Sequence, residues 1–329
     1  MDHPRHHHSL FWPTLLIGVG IVWLLVNFGI IAPVSVATVL QFWPVLLVLL
    51  GLDILFRQRY AWVGGLVGLL AVAGVVAFLI VNPNPGAMAA PQSVQENFTA
   101  PLSSATSVNY DLETAAEPVD IYALSSTSTD LIDADLTHQG QINFNVSGTT
   151  NKQVSLSEIS NPNDWLSWAF TNNHMKWNVG LAAGIPTDIT LNGGSGSINA
   201  DLGGIKVRSL TADLGSGSSN FSLVQADQDV TVDLNSGSGS VNISLPAETN
   251  VTLLLQSGSG SMTVQLPATS AVRVEVMDSG SGSLNLPGSL THISGDNNIG
   301  TWQSEGYDQA NERILIKILD RGSGSISIQ

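Results

Sequence analysis

Two hydrophobic patterns divide this chain. Over its first 81 residues apolar positions run almost without interruption, and beyond residue 98 they alternate with polar ones. Leu10 to Ile31 and Tyr60 to Val81 each provide about the 20 apolar residues that a helix needs to cross a bilayer. Val34 to Phe56, between them, is a third such stretch, interrupted by Pro44. Leu10–Ile31 and Val34–Phe56 are related: Phe11-Trp12-Pro13 matches Phe42-Trp43-Pro44, Gly20 matches Gly51, and Leu24 matches Leu55. Tryptophan followed by proline suits a helix entry at the membrane interface, where indoles settle and a missing N–H costs little. The pattern predicts an α-helical anchor of three spans over residues 10–82, preceded by a cytoplasmic tail at 1–9.

The second half has a different grammar. Glycine-serine-glycine recurs at Gly194–Gly196, Gly215–Gly217, Gly237–Gly239, Gly258–Gly260, Gly280–Gly282 and Gly322–Gly324, with spacings of 21, 22, 21, 22 and 42 residues. A fixed period of this length signals stacked structural repeats. Apolar residues alternate on both sides of each triplet, as in Val230, Val232 and Leu234 before one turn and Val241 and Ile243 after it. Period two with one apolar face is the strand signature. Leu-Pro pairs ending at Pro246, Pro267 and Pro287 mark a second bend. Glycine fits the turn for two reasons: it accepts positive φ, and it lets neighbouring turns lie close together.

Each unit is therefore strand, glycine turn, strand, bend. Coils of a β-solenoid or hairpins of a β-meander or sandwich both satisfy this. The constant register favours a solenoid of repeats about 21 residues long over residues 185–329. In that reading Gly295–Trp302 is a loop in place of a lost turn, and Ile314–Ile328 closes the stack. Residues 83–97 read as a linker and 98–184 as an irregular β cap or start of the stack. Within the cap, Val108–Leu112, Val119–Leu124 and Gln141–Val146 read as strands, and Asp164–Phe170 as a short helix.

Charge sharpens this division. The chain carries 26 acidic and 11 basic residues, and 24 of those acids but only 8 of the bases follow Val81. Such an acidic region is poorly suited to nucleic acid or anionic lipid. Arg5, Arg57 and Arg59 flank the apolar stretches, so the positive-inside rule leaves the N-terminus in the cytoplasm and the β region outside. Asp53, four residues before Arg57, reads as its helix-face partner. The chain has no cysteine, which excludes thiol catalysis, thiolate metal sites and disulfides.

Little chemistry is encoded. His3, His6, His7 and His8 cluster on the tail without a fixed ligand geometry, so no metal and no cofactor is expected. No serine sits in a nucleophile elbow and the acids are scattered, so the chain is expected not to be an enzyme. Asn97, Asn145, Asn220, Asn242 and Asn250 lie in glycosylation sequons of a kind frequent by chance in a chain rich in Asn, Ser and Thr. Trp165, Trp168, Trp177 and Trp302 are the residues best suited to contact a partner or a glycan, or else to cap the stack.

The Phe-Trp-Pro repeats and the glycine-cornered strands from Leu191 to Ser218 resemble those of LiaF-like bacterial membrane proteins, whose C-terminal regions are toast-rack or adhesin-like β domains. The resemblance implies a role in cell-envelope stress sensing, in which LiaF restrains a sensor histidine kinase. It carries no catalytic residues over. The expectation is a non-catalytic membrane protein that acts on other envelope proteins, with self-association a further option. The alternative is an adhesin-like module that binds cell-wall glycan.

Overall fold

The computed structural model describes residues 93–159, 175–223, 228–278 and 280–329, with isolated helical positions at Leu16, Ile17, Gly20, Leu24 and Gly74. The chain divides into two units, Met1–Gln92 with Asn163–Asn172 and Ser93–Pro162 with Asn173–Gln329. The second unit is all β.

Its strands begin with β1 (Val94–Pro101), β2 (Ser107–Thr114), β3 (Val119–Ala123), β4 (Asp130–His138), β5 (Gln141–Ser147), β6 (Asn151–Ile159) and β7 (Lys176–Leu181). The repeats supply β8 (Pro186–Gly193), β9 (Ile198–Asp201), β10 (Lys206–Leu214), β11 (Ser218–Ser222), β12 (Val230–Ser236), β13 (Ser240–Ser244), β14 (Val251–Ser257), β15 (Ser261–Gln265), β16 (Ala271–Val276) and β17 (Ser283–Asn285). A hairpin, β18 (Thr291–Gly295) and β19 (Gly300–Gln303), precedes the last pair, β20 (Arg313–Asp320) and β21 (Ser325–Ile328).

These strands form two sheets. One has ten strands in the order β1-β4-β7-β3-β9-β11-β13-β15-β21-β17, and the other eleven in the order β18-β19-β16-β20-β14-β12-β10-β8-β2-β6-β5. A corner links a strand of one sheet to a strand of the other, and the linked pair is one rung. The rungs follow in the order β2/β3, β8/β9, β10/β11, β12/β13, β14/β15, β20/β21 and β16/β17, with parallel pairing throughout. Register brings aliphatics into columns: Val232, Leu253, Ile316 and Val274 align, as do Leu234, Leu255, Ile318 and Val276. All eight are 3% exposed or less and belong to one core drawn from both sheets. Each such side chain contributes about 1.5–3 kcal/mol by leaving water.

The expected fold class needs correction in both halves. The three predicted spans fall, apart from the five positions named above, outside the described residues. Among the described residues no helix is long and apolar enough to cross a membrane. In the β half, a solenoid with coils stacked in chain order is not what forms. The last unit, β20/β21, does not close the stack but inserts between β14/β15 and β16/β17. Gly295–Trp302, expected to be a loop, instead contributes to the antiparallel hairpin β18–β19, which covers β16.

The physical reason is that every rung carries the same alternating register. Such a pattern says which face of a strand is buried but does not select its neighbour. The unit richest in isoleucine takes an interior place, with Ile314, Ile316, Ile318, Ile326 and Ile328 all at 2% exposure or less. The unit with the three-residue strand β17, whose Leu284 is only partly buried, takes the end. A very short edge strand is also a poor template for unwanted pairing.

The region read as irregular contains a full rung as well. Strand β2 pairs in parallel with β8, and β3 pairs in parallel with β9, around the glycine-free corner Thr114–Glu117. Tyr110 ties the two sheets here: its hydroxyl donates to the Leu131 carbonyl at 2.5 Å and accepts from the Ala182 N–H at 3.3 Å. Burial pushes this phenol well above its ordinary range, against the pull of the Ala182 bond.

Candidate functional site

The corners form an unbroken hydrogen-bonded column. The N–H groups of Ser195, Ser216, Ser238, Ser259, Ser323 and Ser281 each donate to a carbonyl of the neighbouring corner, at 2.8 to 3.2 Å. The column begins on Ala115 and ends at Gly280–Gly282. Among the described residues no N–H donates to the carbonyls of Gly280 or Gly282, because no further corner stacks there.

This column shows which property of glycine is used. A Cβ on any of the twelve corner glycines would lie under 3.0 Å from a carbonyl of the adjoining corner. Only Gly280 and Gly322 among them have positive φ. Close approach is therefore the general requirement, and backbone sign a local one.

A second column runs inside the corners. The residue before the first glycine is buried in four successive rungs, Leu214, Ser236, Ser257 and Arg321, with 2–6% exposure. The Ser236 and Ser257 hydroxyls and the Arg321 Nε are buried and have no hydrogen-bond partner among the described residues. A buried polar group without a partner costs about 1–3 kcal/mol, and more when charged. Arg321 also forms no ion pair among the described residues.

The inner column opens at the end of the stack. There Arg321 lines a cavity of about 420 Å³ together with Gly282, Ser283, Leu284, Asn297, Asn298 and Trp302. Trp302 lies on β19, half-buried, with its ring 4.9 Å from that of His292. Arg273 fixes this wall by donating to Gln303 Oε1 at 3.0 and 2.7 Å and to Asp308 at 2.7 Å, and it lies 4.3 Å above the Tyr307 ring. The Asp296 carboxylate, next in sequence to Asn297, accepts from the N–H groups of Ile299 and Asn298, and these bonds hold it below its ordinary range. Asp278 and Asp320 likewise accept from the N–H groups of Gly280 and Gly322.

The two described tryptophans, Trp177 and Trp302, do not converge. Trp177 is fully buried on β7, its indole N–H without a partner, and offers no outward face. Trp302 alone lines a cavity. Trp165 and Trp168 lie outside the described residues, as do the tail histidines and the short helix expected at Asp164–Phe170. Four of the sequon asparagines have side-chain amides bonded to neighbouring strands or loops, including Asn242 to Asn220 at 2.9 Å, Asn97 to Asp133 at 2.9 Å and Asn250 to Asp229 at 3.0 Å. Sequence reasoning passed over Arg321. Its signal was a lone cation in the inward position that holds leucine or serine in the other units.

Comparison with known proteins accounts for both halves. Residues 11–88 match the LiaF transmembrane domain, and residues 88–244 match the N-terminal domain of toast_rack, DUF2154. The first match makes this a membrane-associated chain. A search of curated proteins returns no match. Among solved structures, a cell-adhesion protein candidate from Clostridium sporogenes is 20% identical, covering 72% of this chain and 99% of its own, with a TM-score of 0.44. An adhesin candidate from Bacteroides fragilis is 11% identical, covering 73% of this chain and 100% of its own, with a TM-score of 0.25.

Proposed function

On the premise that the chain is a LiaF-like toast-rack protein, we propose that it is a non-catalytic envelope protein that senses stress or scaffolds by contact with other membrane proteins. The observation that carries this reading is the corner column. One hydrogen-bonded line ties seven rungs from Ala115 to Gly282 into a single rigid ladder, suited to presenting a fixed surface. A sensor histidine kinase is the partner class that the resemblance suggests. The acidic β region lies on the extracytoplasmic side, as the placement of Arg5, Arg57 and Arg59 supports.

Two measurements test this. Capture of the full chain from detergent should recover a membrane protein partner; recovery of none rejects the contact reading. Replacing residues 1–82 by an unrelated anchor then assigns the contact to one half or the other. Because the chain lacks cysteine, Ser216→Cys at an exposed corner gives a unique thiol. Labelling of that thiol on intact spheroplasts by an impermeant maleimide supports the orientation, and labelling only after lysis rejects it.

A further inference from the structure

A cation that is almost fully buried, has no partner among the described residues and lines an open cavity is suited to bind an anionic ligand. Arg321 is 6% exposed, its Nε has no acceptor, and it reaches the groove between β17 and the β18–β19 hairpin. Guanidinium presents a planar fork of donors that matches a carboxylate. Asp278, Asp296 and Asp320 accept from loop N–H groups, and among the described residues none of them forms an ion pair with Arg321.

The remaining walls narrow the ligand. Trp302 supplies an aromatic surface, on which the apolar face of a sugar ring stacks. Asn297 and Asn298 line the same space with amides that both donate and accept. The carbonyl of Gly282, which takes no N–H among the described residues, is available to accept from a hydroxyl. A volume of about 420 Å³ is within the range of small-ligand pockets. An inorganic anion would use the arginine but leave the aromatic wall and the acceptors idle, and a peptide carboxylate would lack the hydroxyls.

We propose that the groove formed by Arg321, Trp302, Asn297, Asn298 and the last glycine corner binds an acidic saccharide, with the sugar carboxylate on Arg321 and the ring against Trp302. This goes beyond the partner-contact function and stands whether or not that function holds.

The test uses the full chain in detergent and ligand-observed saturation-transfer NMR with four probes: glucuronate, glucose, N-acetylglycine and inorganic phosphate. Glucuronate is expected to bind at least about tenfold more tightly than the other three, roughly the effect of one paired charge. Arg321→Gln should abolish that preference. Because Arg321 is buried, Asn298→Asp is the second variant; it leaves the core intact, places a negative charge at the groove and should weaken glucuronate by about tenfold. Equal binding of glucose overturns the proposal, since the charge is then not read. Equal binding of N-acetylglycine or phosphate overturns it as well, leaving an anion site indifferent to sugar. Undiminished glucuronate binding by a folded Arg321→Gln, or by Asn298→Asp, places any binding elsewhere.

Discussion

The corner at Thr114–Glu117 and the corner at Gly258–Gly260 make the same connection between the two sheets with different residues. Ala115 and Ala116 carry side chains and are exposed, whereas each glycine of the later corner has a neighbouring carbonyl where its Cβ would stand. The difference is position in the stack. The neighbours of β2 and β3 on the far side are β6 and β7, and Ala115 and Ala116 are exposed among the described residues. Every later corner rests on the one before it. Glycine here records resting on a preceding corner, more than the shape of the turn.

The sharpest way to break this contrast is to exchange the residues. Gly260→Ala forces a methyl into the Gly239 carbonyl and should destabilise the chain by about 3 kcal/mol or more. Ala116→Gly, at a corner with open space, should cost only about 0.5–1 kcal/mol. Equal effects in denaturant unfolding would remove the stacking explanation.

The order of the rungs is tested by cross-linking. Ser259 and Ser323 hydroxyls are 3.2 Å apart across adjoining corners. Ser259→Cys with Ser323→Cys should oxidise readily in this cysteine-free chain and add about 2–4 kcal/mol of stability. Ser259→Cys with Ser281→Cys, the pair that stacking in chain order would join, should not close.

The first rung, without glycine corners, leans on Tyr110. Tyr110→Phe leaves the Leu131 carbonyl and the Ala182 N–H without that partner and should cost about 1–3 kcal/mol. An unchanged melting temperature would show that the two sheets need no polar tie at this end.

The smallest effect concerns pH. Burial, and then the neighbouring Glu117, raise Glu158 above its ordinary value of 4.5, while bonds from Gly140 and Gln139 and the nearby His138 pull it down. The folded chain holds this proton more tightly than the unfolded chain does. Stability from the group is therefore full below the ordinary value and lost as pH rises through the raised one. Glu158→Gln keeps an acceptor for the Gly140 N–H and removes the charge. It should raise the melting temperature at pH 7 by about 2 °C and flatten its dependence between pH 5 and 7. A variant that is unchanged at pH 7 would contradict this.

Much of the fold could be read from residue order. The alternation at Val230, Val232 and Leu234 marks a strand and its buried face, and the glycine triplets mark where the strands turn. The groove was far less visible. Trp302 stood out as an aromatic, but Trp177 did so equally and is in the core. Arg321 has the spacing of Ser257 and Leu214, and nothing local says that its column ends in an open cavity. A binding site assembled from β17, the β18–β19 hairpin and the β20–β21 corner depends on which rungs adjoin.

Period, burial face and corner chemistry were thus determined by the chain itself, because each depends on a residue and its near neighbours. The insertion of β20/β21, the hairpin over the last rung and the placing of Arg321 against a cavity were decided only in three dimensions. Aliphatic ladders of equal register can pair in any order at nearly equal local cost. The choice among those orders falls to the whole core, which gains most by enclosing Ile314, Ile316 and Ile318 and leaving the shortest strand at the edge.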